Sequence, residues 1–147
     1  MYFFQIDKFF FKVYLFEKVE VMKKILLLSL LFLSFLYAKI DDNEVISKAN
    51  NLNKQILVYV FSKNCYYCMK MDKEVFAEKE VQNAINKNYI LLKVDAFKDK
   101  LPFSLQKKYK KITPSFFILD KNGKYQNSII GSWTKKDFLE ILKENLK

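Results

Sequence analysis

Residues 55–68 read QILVYVFSKNCYYC, and the order in which those side chains come decides the fold class. Gln55–Phe61 is an unbroken apolar run rich in β-branched and aromatic residues. A run with no polar alternation reads as a strand covered on both faces. Three residues later come Cys65 and Cys68, and from Tyr66 to about Lys87 the spacing turns helical, with Val75, Phe76, Val81, Ala84 and Ile85 as core candidates. A buried strand thus delivers a CxxC pair to the start of a helix.

The pattern on either side alternates helix and strand. Asp41 or Asp42 caps a helix running to about Leu52, and YILLKVDA (89–96) is a second strand. Pro102–Tyr109 is expected as a short helix with proline in its first turn. SFFILD (115–120) and Tyr125–Ile130 flank Asn122-Gly123, a hairpin signal. Thr134 caps a last amphipathic helix that turns Phe138, Leu139, Ile141 and Leu142 inward. No internal repeat or low-complexity linker interrupts residues 39–147.

The first 38 residues are different. MKKILLLSLLFLSFLYA (22–38) has the layout of a secretory signal: Lys23 and Lys24, an apolar stretch Ile25–Leu36, then Ala38 before a cut ahead of Lys39. As a helix, Ile25–Ala38 would span about 21 Å, short of a hydrocarbon core of about 30 Å. Residues 1–21 are dense in phenylalanine but carry neither cap nor turn, so Met22 is expected to be the true initiator and 1–21 a mis-assigned upstream extension. The expected layout is therefore an extension, a signal peptide and one domain over 39–147, exported to the periplasm.

Composition narrows the chemistry. The 147 residues contain no histidine, which excludes serine–histidine and cysteine–histidine pairs, a histidine base and histidine metal ligands. Met69 follows Cys68 where c-type haem attachment needs histidine. The net charge of +10 comes from 26 lysines and no arginine, so bidentate guanine recognition is unavailable. Acidic residues interleave with many of the lysines, as on an ordinary solvated surface, and no nucleic-acid partner is expected.

That leaves the cysteines. Spaced i and i+3 at a helix start, they can reach disulfide geometry. Free amide N–H groups and the helix dipole there favour negative charge on the first sulfur. Cys65 would attack a substrate disulfide, and Cys68, one turn deeper, would resolve the mixed disulfide. A structural bond is an alternative, although so small a loop removes little chain entropy. A Cu(I) module built from Cys65, Cys68, Met69 and Met71 is another, since thiolates and thioethers suit soft metals.

CYYCMKMDKEVF, YILLKVDA, ITPSFFILDKNGK and IIGSWTKKDFLEIL together resemble the thioredoxin superfamily. More narrowly, they resemble the exported thioredoxin-like proteins of bacteria, SoxW-like and thiol–disulfide interchange relatives. The resemblance covers about residues 50–146. It implies an α/β thioredoxin-like fold, a central mixed sheet flanked by helices with a CxxC at a helix N-terminus and a cis-proline loop. Without the resemblance, a trans proline starting an edge strand is the ordinary expectation for Thr113-Pro114; with it, cis is expected beside the sulfurs. Thr113 and Pro114 then inherit the binding of substrate as a short added strand. Tyr66 and Tyr67 either form an apolar docking surface or one packs into the helix, and Trp133 is core or rim. Departures are plain as well. Where many relatives carry a buried acid six residues before the first cysteine this chain has Tyr59, the preceding tryptophan is Asn64, and Lys93 is expected to be solvated.

The function implied is an exported thiol–disulfide oxidoreductase without cofactor or metal, acting as a monomer on protein disulfides. It would reduce them through Cys65 and Cys68, with electrons from a membrane thiol–disulfide transporter. A thiol oxidase is the reverse of the same chemistry.

Overall fold

Asp41 opens the first element: its carboxylate accepts a hydrogen bond from Asn43 N at 2.9 Å and caps helix α1 (Asp42–Leu52). The structure, a computed structural model, describes residues 23–24 and 41–146. The extension and the cleavage site therefore lie outside the described residues, as does the signal apart from Lys23 and Lys24.

Strand β1 (Gln55–Phe61) follows, with Ile56–Val60 all fully buried. Helix α2 (Tyr66–Glu74) and helix α3 (Lys79–Asn88) come next, then β2 (Tyr89–Asp95), a 3-10 turn (Leu105–Lys107), β3 (Ser115–Leu119), β4 (Tyr125–Ile130) and helix α4 (Lys135–Glu144). The sheet order is β2-β1-β3-β4. β1 is parallel to β2 and antiparallel to β3, which is antiparallel to β4. This is the mixed sheet that the resemblance implies.

Period-2 alternation along β1 splits the core in two. Leu57 and Tyr59 face one side, with Phe116, Ile118 and Ile129, under Met71, Val75, Phe76, Val81, Ile85, Phe138 and Leu142 of the helical segments. Ile56, Val58 and Val60 face the other, with Val94, Phe117 and Leu119, beneath Ala49 and the 101–105 segment. At the first core's centre, Phe116 stacks on Tyr59 at 4.9 Å and meets Phe138 at 5.2 Å between centroids.

Two expectations are corrected. The helical stretch 66–87 is two helices: the N–H groups of Val75 and Phe76 both bond Met71 O, ending α2. Glu78 N then bonds Val75 O in the turn that precedes α3, and Val75 and Phe76 are both buried there. Residues 102–109 hold only the 3-10 turn, because the Asp42 carboxylate takes Phe103 N at 2.9 Å and Phe103 and Ser104 adopt positive φ of 53° and 56°. At the β3–β4 turn, Gly123 has φ 79°, and an added Cβ would lie 3.0 Å from the Phe103 ring and 3.1 Å from Ile46. Glycine is therefore required there both for conformation and for space.

Phe116→Ala should lower unfolding stability by about 3–5 kcal/mol, because it empties the centre of the larger core. Chemical denaturation of the oxidised protein measures this, and a loss below about 1 kcal/mol would contradict the packing described. Tyr89 OH donates to Leu142 O at 2.7 Å, and burial pushes its phenol up to about 12. The raised value means that the neutral phenol stabilises the fold fully below about pH 10 and the contribution is lost as pH rises toward 12. Alkaline titration of the melting temperature should show this fall, and Tyr89→Phe should flatten it.

Candidate redox site

Cys65 is the N-cap of α2, in extended conformation at φ −87° and ψ 111°. Its Sγ accepts the Cys68 N–H at 3.0 Å, and its carbonyl takes the N–H groups of Cys68 and Met69 at 3.1 Å. The helix start thus presents amide hydrogen to the first sulfur. That stabilises negative charge there when the pair is reduced. The two cysteines are joined as a disulfide, with Cα atoms 5.2 Å apart. Cys65 is half-buried while Cys68 is 2% exposed, so one sulfur faces the surface and the other lies in the core. The asymmetry read from sequence is present.

Across from the disulfide lies the 110–114 loop. The Thr113–Pro114 peptide is cis. Thr113 O lies 3.5 Å from Cys65 Sγ, and Thr113 N–H has no partner among the described residues. The loop is held from both sides: Ser115 Oγ donates to Ile112 O at 2.6 Å, and Gly131 N donates to Pro114 O at 2.9 Å. Lys111, with φ 58°, turns the chain into it. Pro114 is buried and Thr113 half-buried, so the structure brings Cys65, Cys68, Thr113 and Pro114 together.

Tyr66 and Tyr67 are 69% and 59% exposed and pair edge to face at 5.5 Å. Neither packs into the helix, so of the two readings the exposed apolar surface is the one present. Trp133 is at the rim, its backbone N–H donating to Met71 Sδ at 3.2 Å. Met71 is fully buried and Met69 is exposed. Among the described residues no group of three or more histidine, cysteine, aspartate or glutamate side chains is placed to hold a metal.

Beneath Cys68 sits Tyr59. Its ring is stacked between Phe76 and Phe116, and its hydroxyl donates to Cys68 O at 3.3 Å. Burial first, and the Asp72 charge second, hold its phenol well above the usual range, so it stays protonated and serves as a donor only. Lys93 is exposed, as expected of a strand lysine, and its ammonium pairs with Asp72 at 2.7 Å and lies 5.1 Å from the Phe76 ring and 5.5 Å from the Tyr59 ring. Asp72 was the residue that sequence reading passed over. The signal was its spacing, four after Cys68 on the same helix face.

Residues 42–145 match the description of a thioredoxin-like domain. The chain belongs to the thioredoxin-like family. Among solved structures, a thioredoxin from Thermus thermophilus is 22% identical and superposes with a TM-score of 0.60, over 69% of this chain and 81% of that one. The C-terminal domain of Neisseria meningitidis DsbD in its oxidised form is 17% identical, with a TM-score of 0.55, over 70% and 90%. A DsbH oxidoreductase is 18% identical, with a TM-score of 0.57, over 74% and 83%. No curated protein sequence matches the chain significantly. A thioredoxin-like domain with its CxxC cysteines joined as a disulfide is, by class, a thiol–disulfide oxidoreductase.

Because Tyr59 contributes a hydrogen bond and no proton acceptor, Tyr59→Phe should cost about 1 kcal/mol of stability. It should leave the pH profile of disulfide exchange unmoved. A shifted profile would mean that the hydroxyl takes part in proton transfer.

Proposed function

We propose that this protein is an exported reductase of protein disulfides, working through Cys65 and Cys68, and that it belongs with the SoxW-like and thiol–disulfide interchange proteins of the bacterial periplasm. The observation that carries the chemistry is the Cys65–Cys68 disulfide, with Cys65 at a helix N-cap facing the Thr113 carbonyl and Cys68 buried behind it. Export is supported by the lysine-led apolar segment at 22–38, and the direction by the family resemblance.

In the reduced form, Cys65 thiolate attacks one sulfur of a substrate disulfide. A Cys65–substrate bond forms, the substrate S–S bond breaks, and the other substrate sulfur leaves as thiolate. Cys68, after losing its proton, attacks Cys65 Sγ. The intramolecular disulfide forms and the second substrate thiolate departs. Two electrons have passed to the substrate, leaving the oxidised state seen here, and a dithiol donor must return them. A membrane thiol–disulfide transporter would fill that role, since an exported protein is cut off from the cytosolic reducing system. Thr113, with its unpaired N–H, offers backbone to an extended substrate segment beside the sulfur, and the Pro114 ring keeps a competing donor out of that position.

The protein should equilibrate reversibly with glutathione buffers. A reduction potential near −270 mV, roughly that of thioredoxin, is expected of a reductase, whereas about −120 mV would make it an oxidase. Cys65→Ser should abolish exchange, and Cys68→Ser should accumulate mixed disulfides with substrate. If the dithiol form purified with stoichiometric copper and exchanged no disulfide, the soft-metal reading would replace this one.

A further inference from the structure

We propose that the disulfide end of the sheet selects substrates whose reactive disulfide is flanked by acidic residues; this deepens, and rests on, the oxidoreductase reading. Four chain segments converge on that end. β1 leaves it through Lys63 and Asn64 into Cys65. β2 runs parallel, with Asp95 opposite Phe61 and Ala96 N bonded to Phe61 O at 2.8 Å, so Phe97 and Lys98 emerge alongside. β3 begins there, Ser115 opposite Val60, which places Lys110, Lys111 and Ile112 just before it. β4 ends there, Ile130 opposite Ser115, and leads to Trp133.

These segments carry two kinds of exposed group. Tyr66, Tyr67, Phe97 at 86% exposure, Ile112 and Trp133 leave apolar surface in the open. Lys63, Lys98, Lys110 and Lys111 are also exposed, and their ammonium groups have no partner among the described residues. Of the carboxylates described at this end, only Asp72 is charge-paired; Asp95 and Asp99 accept backbone N–H groups. Asp95 is buried and accepts from Phe97 N at 3.0 Å, Asp99 accepts from Asp95 N at 2.8 Å, and Asp72 is paired with Lys93. Elsewhere acidic and basic side chains are interspersed: Asp41, Asp42 and Glu44 stand near Lys48, and Lys135 bridges to Glu78 and Glu80. Four exposed lysines therefore stand against two carboxylates without an ion-pair partner, Asp95 and Asp99, which leaves net positive charge where the sulfur is reached. Such a field raises the encounter rate of negatively charged segments and falls away with salt. The aromatic fringe inside it accepts an apolar side chain next to the substrate cysteine.

The test uses the full reduced chain and three disulfide peptides alike except for flanking Glu, Ser or Lys. At low salt the Glu-flanked peptide should be reduced about tenfold faster than the Ser peptide, with the Lys peptide slowest, and the spread should collapse at high salt. Changing Lys63→Gln, Lys98→Gln, Lys110→Gln and Lys111→Gln together should bring the three rates within about twofold, while the corresponding arginine variant keeps the order. Neither variant should alter the rate with uncharged hydroxyethyl disulfide. Equal rates for all three peptides, or a preference that survives in the glutamine variant, would overturn the proposal. So would equal peptide rates with lysine-dependent capture by anionic phospholipid vesicles, which would assign the lysines to a membrane surface. Absence of exchange even with hydroxyethyl disulfide is a separate result, since it removes the oxidoreductase reading itself.

Discussion

Burial of five successive residues, Ile56–Val60, is the constraint on which the remaining structure hangs. A strand with both faces dry needs apolar cover above and below and hydrogen-bonded neighbours at both edges. β2 and β3 supply the edges, α2 to α4 the cover on one face, and α1 with the 101–105 segment the cover on the other. Everything that reaches the sulfurs does so from the end of this strand. β1 aims Cys65 at its helix start, and because β3 is bonded to the same strand, the loop preceding β3 must arrive beside it.

The site then follows from where polar groups can be satisfied. The start of α2 has amide hydrogens with no carbonyl in the preceding turn to accept them. Serine, threonine or aspartate oxygen usually fills that position; here a sulfur does, taking the Cys68 N–H at 3.0 Å. The capping interaction and the activation of the nucleophile are one contact. The second sulfur, three residues on, falls on the inward face of the helix. The two cysteines differ in exposure because Cys65 caps the open end of the helix while Cys68, one turn in, packs into the larger core, and the order of attack follows from that difference.

Much of this was legible in the chain. β1, the first and last helices with their caps, β4 and the position of the CxxC are given by apolar spacing and by Asp41 and Thr134, all signals confined to a few neighbouring residues. What escaped depends on partners far apart in sequence. The 102–109 segment has a proline and apolar residues suited to a helix, but a carboxylate 61 residues away holds Phe103 N. Val75 and Phe76 at the break both pack into the core formed with β1 and β3, and the Asp72–Lys93 pair joins residues 21 apart. Phe97 reads as one more apolar residue after a strand, and only the end of the sheet shows that nothing covers it.

Tyr59 shows how the core and the chemistry limit one another. A carboxylate at this fully buried position would carry a desolvation penalty unless paired and hydrogen-bonded. The phenol avoids it: the ring completes the stack between Phe76 and Phe116, and the hydroxyl is used by the Cys68 carbonyl. Acidic charge is instead moved out to Asp72, half-exposed, where Lys93 neutralises it above the same rings. The arrangement keeps full negative charge out of the core beneath the second sulfur. Its consequence is that no carboxylate on β1 receives the proton that Cys68 must lose before attacking Cys65.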